Sequence, residues 1–259
     1  MTDNKQIVLD AYSALFLEFD TEKVAAMLTE DYIQHNPGVP SGRAPILEVL
    51  PVLKESGLKP TIHRVIAQGE LVALHVTYEN AQFFGAPTLV GFDIFRVEDG
   101  RVAEHWDNLQ PPPAETASGR SMTDGPTDIV DLDKTAENKA VVTDFIEAVF
   151  LGGDLGKAAE LIIAEPGAYL QHNPGVADGL ESLGKALMAL AEAGQAWTFS
   201  KLHIAIAEGN VVLTVTEGKA GEVPTAFYDL WRVEDGLIVE HWDVIAEIPA
   251  AMAHANGKF

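Results

Sequence analysis

Apolar and polar positions follow two different periods along this chain, and the change from one to the other happens twice. Ile7, Val8, Ala11, Tyr12, Leu15 and Phe16 recur at helical spacing behind the capping candidates Thr2 and Asp3. Asp20 is placed to cap a short second helix carrying Val24, Met27 and Leu28. Asp31 to Gly42 reads as a strand stub and a Pro/Gly-rich turn. A third helix starts near Ala44-Pro45, where proline is tolerated in the first turn. From Thr61 the spacing is that of strands, at 61–67, 70–79, 88–97 and 101–109, with Asp99-Gly100 turning the last two into a hairpin. The succession then returns, with helices near 135–150, 154–164 and 179–193 and strands near 197–207, 210–217, 224–233 and 237–246. Helices followed by antiparallel strands predict an α+β domain, present twice, each a curved and mostly antiparallel sheet wrapped around helices.

The recurrence is also literal. Tyr32-Ile33-Gln34-His35-Asn36-Pro37-Gly38 returns as Tyr169-Leu170-Gln171-His172-Asn173-Pro174-Gly175. Asp93-Ile94-Phe95-Arg96-Val97-Glu98-Asp99-Gly100 returns as Asp229-Leu230-Trp231-Arg232-Val233-Glu234-Asp235-Gly236, and each block runs into Glu-His-Trp-Asp, at 104–107 and 240–243. Order and spacing are kept, so the chain is a tandem duplication of a domain of about 125 residues, long enough for each copy to bury its own core. Pro113-Ala114 to Gly119-Arg120 echoes Pro249-Ala250 to Gly257-Lys258, which assigns that tail to the domain. The expected division is copy 1 over 1–122, a polar linker over 123–134 and copy 2 over 135–259.

Composition narrows the partners. A formal charge of -22 repels phosphate backbones and anionic lipid, so neither nucleic acid nor membrane is an expected partner. No apolar run approaches the ~20 residues that span a bilayer, and the first residues lack a signal-peptide pattern, so a cytoplasmic location is expected. The absence of cysteine removes disulfides, thiol nucleophiles and cysteine metal sites.

The polar residues kept in both copies are the chemical candidates. His35 and Asn36, like His172 and Asn173, head an Asn-Pro-Gly turn that they could also merely bond. Asp93 and Asp229 sit inside apolar strands, either paired with a base or buried with a pKa raised by desolvation. His105 and Asp107, like His241 and Asp243, share one face of the last strand, with Trp106 and Trp242 on the other. A three-residue hairpin loop, Glu98-Asp99-Gly100, sets Asp93 opposite His105 on that face. A two-residue loop puts Asp93 and Asp107 on opposite faces. His63 and His203 read as strand-face residues, His75 has Thr214 at its corresponding position and so lies outside the shared machinery, and His254 sits in the tail.

At these motifs both copies resemble the SnoaL-like polyketide cyclases of the NTF2-like (cystatin-like) superfamily. The resemblance implies two conical domains, each with a pocket between helices and the concave sheet face. It also implies a family acid/base at Asp107 and Asp243. Related ketosteroid isomerases carry a carboxylate base where this chain has His35 and His172, and an oxyanion-stabilising aspartate that looks like Asp93 and Asp229. His replaces that isomerase carboxylate here, and Asp replaces a cyclase histidine, so neither activity is matched throughout. Such domains commonly dimerise through the sheet's other face. The fused copies are therefore expected to form an internal pseudo-dimer, monomeric as a chain, with the Trp106 and Trp242 sides in contact.

The resulting expectation is a cofactor-independent, metal-free enzyme acting on a small-molecule carbonyl substrate through an enolate, by aldol closure or a double-bond shift. His35/His172 and Asp107/Asp243 are the expected base and acid, converging on one cavity, with Asp93/Asp229 as oxyanion acids. Asn36/Asn173 and His105/His241 are expected to bind substrate. The rival readings are a non-catalytic binding module, and a metal site of His35, His105 and Asp107. Phe83-Phe84 in copy 1, against Gly218 to Gly221 in copy 2, predict a more aromatic and more enclosed cavity in copy 1.

Overall fold

The computed structural model describes residues 3–259, so of the two capping candidates only Asp3 is described, and its carboxylate accepts from the Lys5 amide. The chain forms two compact units, Met1–Pro111 with Pro249–Phe259, and Pro112–Ile248. Among the described residues no helix is long and apolar enough to cross a membrane.

In the first unit, α1 (Asn4–Ser13) runs into a π-helical turn, Ala14–Glu18, that ends at left-handed Phe19. Asp20 caps α2 (Thr21–Met27) by accepting from the Glu22 and Lys23 amides. Then come β1 (Leu28–Gln34), α3 (Arg43–Ser56), β2 (Lys59–Gln68), β3 (Leu71–Glu79), β4 (Thr88–Glu98) and β5 (Arg101–Gln110). The sheet order is β1-β5-β4-β3-β2; β1 lies parallel to β5 and every other pair is antiparallel. The helical spacing read from the sequence becomes the core: Val8, Ala11 and Tyr12 of α1 cluster with Ile46, Leu50 and Leu53 of α3 and with Val72, Leu74 and Val76 of β3.

The second unit repeats the order with α4 (Thr135–Phe145) and its π-helical turn Ile146–Leu151, α5 (Leu155–Leu161), β6 (Leu170–Gln171), α6 (Leu180–Glu192), β7 (Trp197–Glu208), β8 (Val211–Ala220), β9 (Val223–Glu234) and β10 (Leu237–Glu247). Its sheet, β6-β10-β9-β8-β7, has the same topology. One difference matters for function. Helix α3 buries three residues, whereas α6 buries none, although Leu183, Leu187 and Met188 line one side of it.

The β4–β5 hairpin differs from the expected three-residue loop. Glu98 pairs with Arg101, so the loop is the two residues Asp99 and Gly100, both with positive φ, as the tight mirror-image turn requires. Such a loop alone would send Asp93 and Asp107 to opposite faces. A β-bulge prevents this: Arg96 pairs with Glu104 but Val97 with Val102, leaving Ala103 as an extra residue. Asp93 therefore lies directly across from Asp107. In copy 2 the bulge falls at Val239 and brings Asp229 opposite Asp243.

The tails are exchanged between the copies. Pro112–Met122 lies in the second unit rather than with the copy it follows: Ala117 N donates to Pro174 O at 2.9 Å, Arg120 pairs with Asp178, and Ser121 O accepts from His172 Nδ1 at 2.7 Å. The segment expected as a polar linker makes bonds of its own, with Asp124 O accepting from Trp242 Nε1 and Val130 O from the Asn210 amide. The C-terminal residues strap the first unit correspondingly: Ala253 N donates to Pro37 O, His254 Nε2 to Asn36 O and Asn256 Nδ2 to Gln34 O. Gly257 O accepts from His35 Nδ1 at 3.0 Å.

His172 is fully buried, stacked on Trp242, with Nε2 2.8 Å from Glu240. Burial pushes the Glu240 carboxyl up, but its His172 and Arg232 contacts outweigh burial and hold it below its ordinary value. Removing one member of such a network costs about 2–4 kcal/mol. His172→Ala is expected to lower stability by that order in urea denaturation with an unchanged m-value; a loss within about 0.5 kcal/mol would mean that this histidine does not anchor the strap.

Candidate active site

The site grows from the inner faces of the last two strands and the end of the edge strand. In copy 1 the Gln34 side chain turns back, and its Oε1 accepts the amides of His35 (3.0 Å) and Asn36 (2.9 Å). An atom that accepts two backbone N–H groups must be oxygen, so His105 Nδ1, 2.9 Å away, donates to it. His105 Nε2 then faces Asp93 Oδ1 at 2.9 Å, and Asp93 Oδ2 accepts from the Tyr78 hydroxyl at 2.7 Å. Asn36 holds the Asn-Pro-Gly turn through its Oδ1, which accepts from Gly38 N, and reaches Asp107 Oδ2 through its Nδ2. Lys258 donates to the Asp107 carbonyl at 2.6 Å, and its ammonium lies 3.6 Å from Asp107 Oδ1.

Copy 2 builds the same frame. His241 Nδ1 lies 3.1 Å from Gln171 Oε1 and its Nε2 3.0 Å from Asp229 Oδ1, while Asn173 donates to Asp243 Oδ2. Two carboxyl oxygens, Asp229 Oδ2 and Asp243 Oδ1, are buried without a hydrogen-bond partner among the described residues. Burial pushes the Asp229 carboxyl up to about 8. Burial also raises Asp243 to about 6, opposed by the hydrogen bond from Asn173. It pulls His241 down to about 4. At neutral pH the imidazole is therefore uncharged with its proton on Nδ1, and Asp229 carries a proton that it donates to Nε2. Asp243 is largely ionised.

His35 and His172 do not join these clusters, which corrects the expected convergence with Asp107 and Asp243. Gln34 closes β1 and His35 follows it, its amide still bonded to His105 O, so the two successive side chains point to opposite faces. His35 stacks on Trp106 and meets Glu104 at 2.9 Å, both on the outer face of β5, and Arg96 braces Glu104 from β4. The proposed set of His35, His105 and Asp107 is thus split by the sheet. One ligand atom from each of Asp93, His105 and Asp107, and likewise of Asp229, His241 and Asp243, does lie within 4.8 Å of the others, a spacing that could hold a cation.

Sequence reasoning missed Gln34 and Gln171, Tyr78 and Lys258. The glutamines were visible as members of the repeated motif. Tyr78 is not repeated, Lys258 stood out only as the end of the echoed tail, and both reach the site through tertiary packing. His63 and His203 do sit on a strand face, bonded to Thr77 and Glu217, and His254 serves the strap.

The two cavities differ in volume, about 60 Å³ in copy 1 and about 820 Å³ in copy 2. The more enclosed cavity is in copy 1, as expected, where Phe83 and Phe84 enter from a 3₁₀ turn (Gln82–Phe84) and Tyr78 crosses the floor. Aromatic residues also make up the larger share of its lining, as expected. Copy 2 sets Phe145, Phe150, Trp197, Phe199, Phe227 and Trp231 around Asp229 and His241, and the cavity is large because α6 stands off the sheet.

Residues 9–105 match the SnoaL-like domain family. The match lies within copy 1, and copy 2 repeats the motifs and the sheet order of that copy, so the chain is two tandem α+β copies of one domain. Among solved structures, TsrD from Streptomyces laurentii is similar at 21% identity and a TM-score of 0.36, over 42% of this chain and 90% of its own. IdmH from Streptomyces antibioticus is 22% identical with a TM-score of 0.35, over 42% of this chain and 92% of its own. An NTF2-like protein from Cytophaga hutchinsonii is 16% identical with a TM-score of 0.36, over 43% and 93%. No curated protein sequence matches the chain.

The raised pKa of Asp229 makes stability depend on pH. The folded state keeps this proton up to about pH 8, while the unfolded carboxyl has lost it by about 4, so Asp229 contributes a fall in stability across that window. Below about 6.5 the neutral His241 opposes this fall, because there the unfolded histidine is protonated and the folded one is not. Between about pH 6.5 and 8 the Asp229 contribution amounts to about 2 kcal/mol, and Asp93, whose carboxyl burial also raises, acts in the same direction. Urea unfolding from pH 6.5 to 8 is expected to show this decline in the wild type and to lose the Asp229 part of it in Asp229→Asn; identical pH profiles would contradict a protonated Asp229.

Proposed function

We propose that the chain is a cofactor-independent enzyme whose working site is the copy 2 cavity, where Asp229 and Asp243 enolise a neutral, largely apolar carbonyl compound. The observation that carries this reading is a carboxyl with a pKa of about 8 on the floor of an aromatic cavity of about 820 Å³, the size of a small-molecule site. The lining of that cavity contains no lysine or arginine among the described residues, which disfavours carboxylate or phosphate substrates. Between about pH 6 and 8 the two facing carboxyls together hold one proton. Asp229, the carboxyl in the cavity lining, passes its proton to Asp243 across from it and then accepts the proton α to the carbonyl, giving the enolate. Returning a proton at another carbon shifts a double bond, and attack of the enolate on a second carbonyl closes a ring. Either outcome regenerates the pair.

Neutral His241, locked by Gln171, positions Asp229, and Asn173 positions Asp243. His172 is left out of the chemistry. The match of copy 1 to the SnoaL-like domain family supports the reaction class, and a binding module without turnover is the rival.

Deuterium exchange α to the carbonyl of a neutral aromatic β-ketoester in D2O, followed by NMR, tests this directly. The wild-type protein is expected to accelerate exchange, and Asp229→Asn to reduce the acceleration ~100-fold or more while staying folded. Saturable binding without exchange would leave the binding module. Full loss in Asp93→Asn with none in Asp229→Asn would move the site to copy 1.

A further inference from the structure

The two copies carry the same Asp–His–Asp cluster, yet its remaining oxygens end differently. In copy 1 the Tyr78 hydroxyl occupies Asp93 Oδ2 and the Lys258 ammonium stands by Asp107 Oδ1. The matching atoms of copy 2, Asp229 Oδ2 and Asp243 Oδ1, are the two buried oxygens without a partner among the described residues. Register explains the first difference. Leu71 pairs with Arg96 and Val211 with Arg232, so seven residues on, Tyr78 corresponds to Gly218.

The strap explains the second. Ala253 N to Pro37 O and Gly257 O to His35 Nδ1 match Ala117 N to Pro174 O and Ser121 O to His172 Nδ1. The next strap residue is Lys258 on copy 1 and Met122 on copy 2, and both are buried. This register, two residues away from the apparent Gly119-Arg120/Gly257-Lys258 echo, was invisible before the straps were seen in place.

We propose that this strap position decides which copy can exchange protons: Lys258 silences copy 1 by holding Asp107 in a buried ion pair, whereas Met122 brings no charge and leaves Asp243 free to take up and release a proton. The proposal rests on reading copy 2 as the working site. An ammonium beside a carboxylate stabilises the charged form, and a thioether does not. Lys258 itself is pulled down by burial and held up by Asp107, so each needs the other. The groups that face Asp243 are Asp229 from β9, His241 from its own strand, and Tyr169 and Asn173 from the edge beside β6, with His172 acting on it from the other side of the sheet. Copy 1 is closed twice over, by this pair and by the aromatic residues that reduce its cavity to about 60 Å³.

The test uses the full-length chain with 13C-carboxyl-labelled aspartate and NMR titration from pH 4 to 9, which needs no substrate. The resonance that disappears in Asp243→Asn is expected to titrate near 6, to move down by about one pH unit or more in Met122→Lys, and to stay in place in Met122→Leu. A Met122→Lys resonance that does not move overturns the proposal while leaving the copy 2 reading to the exchange assay. Should Met122→Lys fail to fold, the reciprocal arm decides. Lys258→Met is expected to lower the urea midpoint, and adding Asp107→Asn to recover part of the loss, because the stranded carboxylate is gone. A midpoint in Lys258→Met that Asp107→Asn does not raise overturns the silencing pair.

Discussion

One extra residue in each hairpin, Ala103 and Val239, decides which side of the sheet the carboxyls occupy. The tight turns at Asp99-Gly100 and Asp235-Gly236 would by themselves alternate the facing aspartates apart. The bulge reverses that alternation, so two carboxyls and an imidazole meet on the face that looks into the helices, where water is scarce. Everything chemical follows from this placement. Because the facing pair is desolvated, one carboxyl is forced to keep a proton, and because it is flanked by a fixed histidine, that proton has a defined neighbour.

The outer face carries the opposite arrangement. Arg96 pairs with Glu104 and Arg232 with Glu240, His35 and His172 meet the same carboxylates, and a strap of chain covers each histidine. These networks account for the retention of the Gln-His-Asn-Pro-Gly motif without giving its histidine a part in turnover. Gln and Asn of the motif serve the inner face, His the outer one. A single β-strand end thus joins the structural lock to the reactive cluster, and selection on either would preserve the same five residues.

Duplication allowed the two sites to diverge while the frame stayed fixed. Copy 1 filled its pocket with Tyr78, Phe83 and Phe84, and its helix α3 collapsed onto the sheet. Copy 2 put Gly218 in place of the tyrosine, where a Cβ would meet the Thr198 carbonyl at 2.0 Å, and left α6 standing over an open cavity. The energetic contrast is that of a packed core against a lined void. Copy 1 gains burial and copy 2 keeps room for a ligand that would supply the missing contacts.

The sequence by itself determined the elements, the duplication and the polar residues to watch. Helical and strand periods, the Asp20 cap and the Asp-Gly turns are local properties, written in residues a few positions apart. The repeated motifs likewise identified Asp93, His105 and Asp107 and their copies as a unit. Three things were settled only by the tertiary structure. The face of His35 depended on which of two adjacent residues points inward, a register set by the ladder to β5. The alignment of Asp93 with Asp107 depended on a bulge that leaves no compositional mark. The exchanged straps, with Lys258 meeting Asp107 across 151 positions of chain, depended on contacts between segments that no local pattern relates. Local chemistry fixes what each residue can do; only packing across the chain decides which groups meet and which of them lose their water.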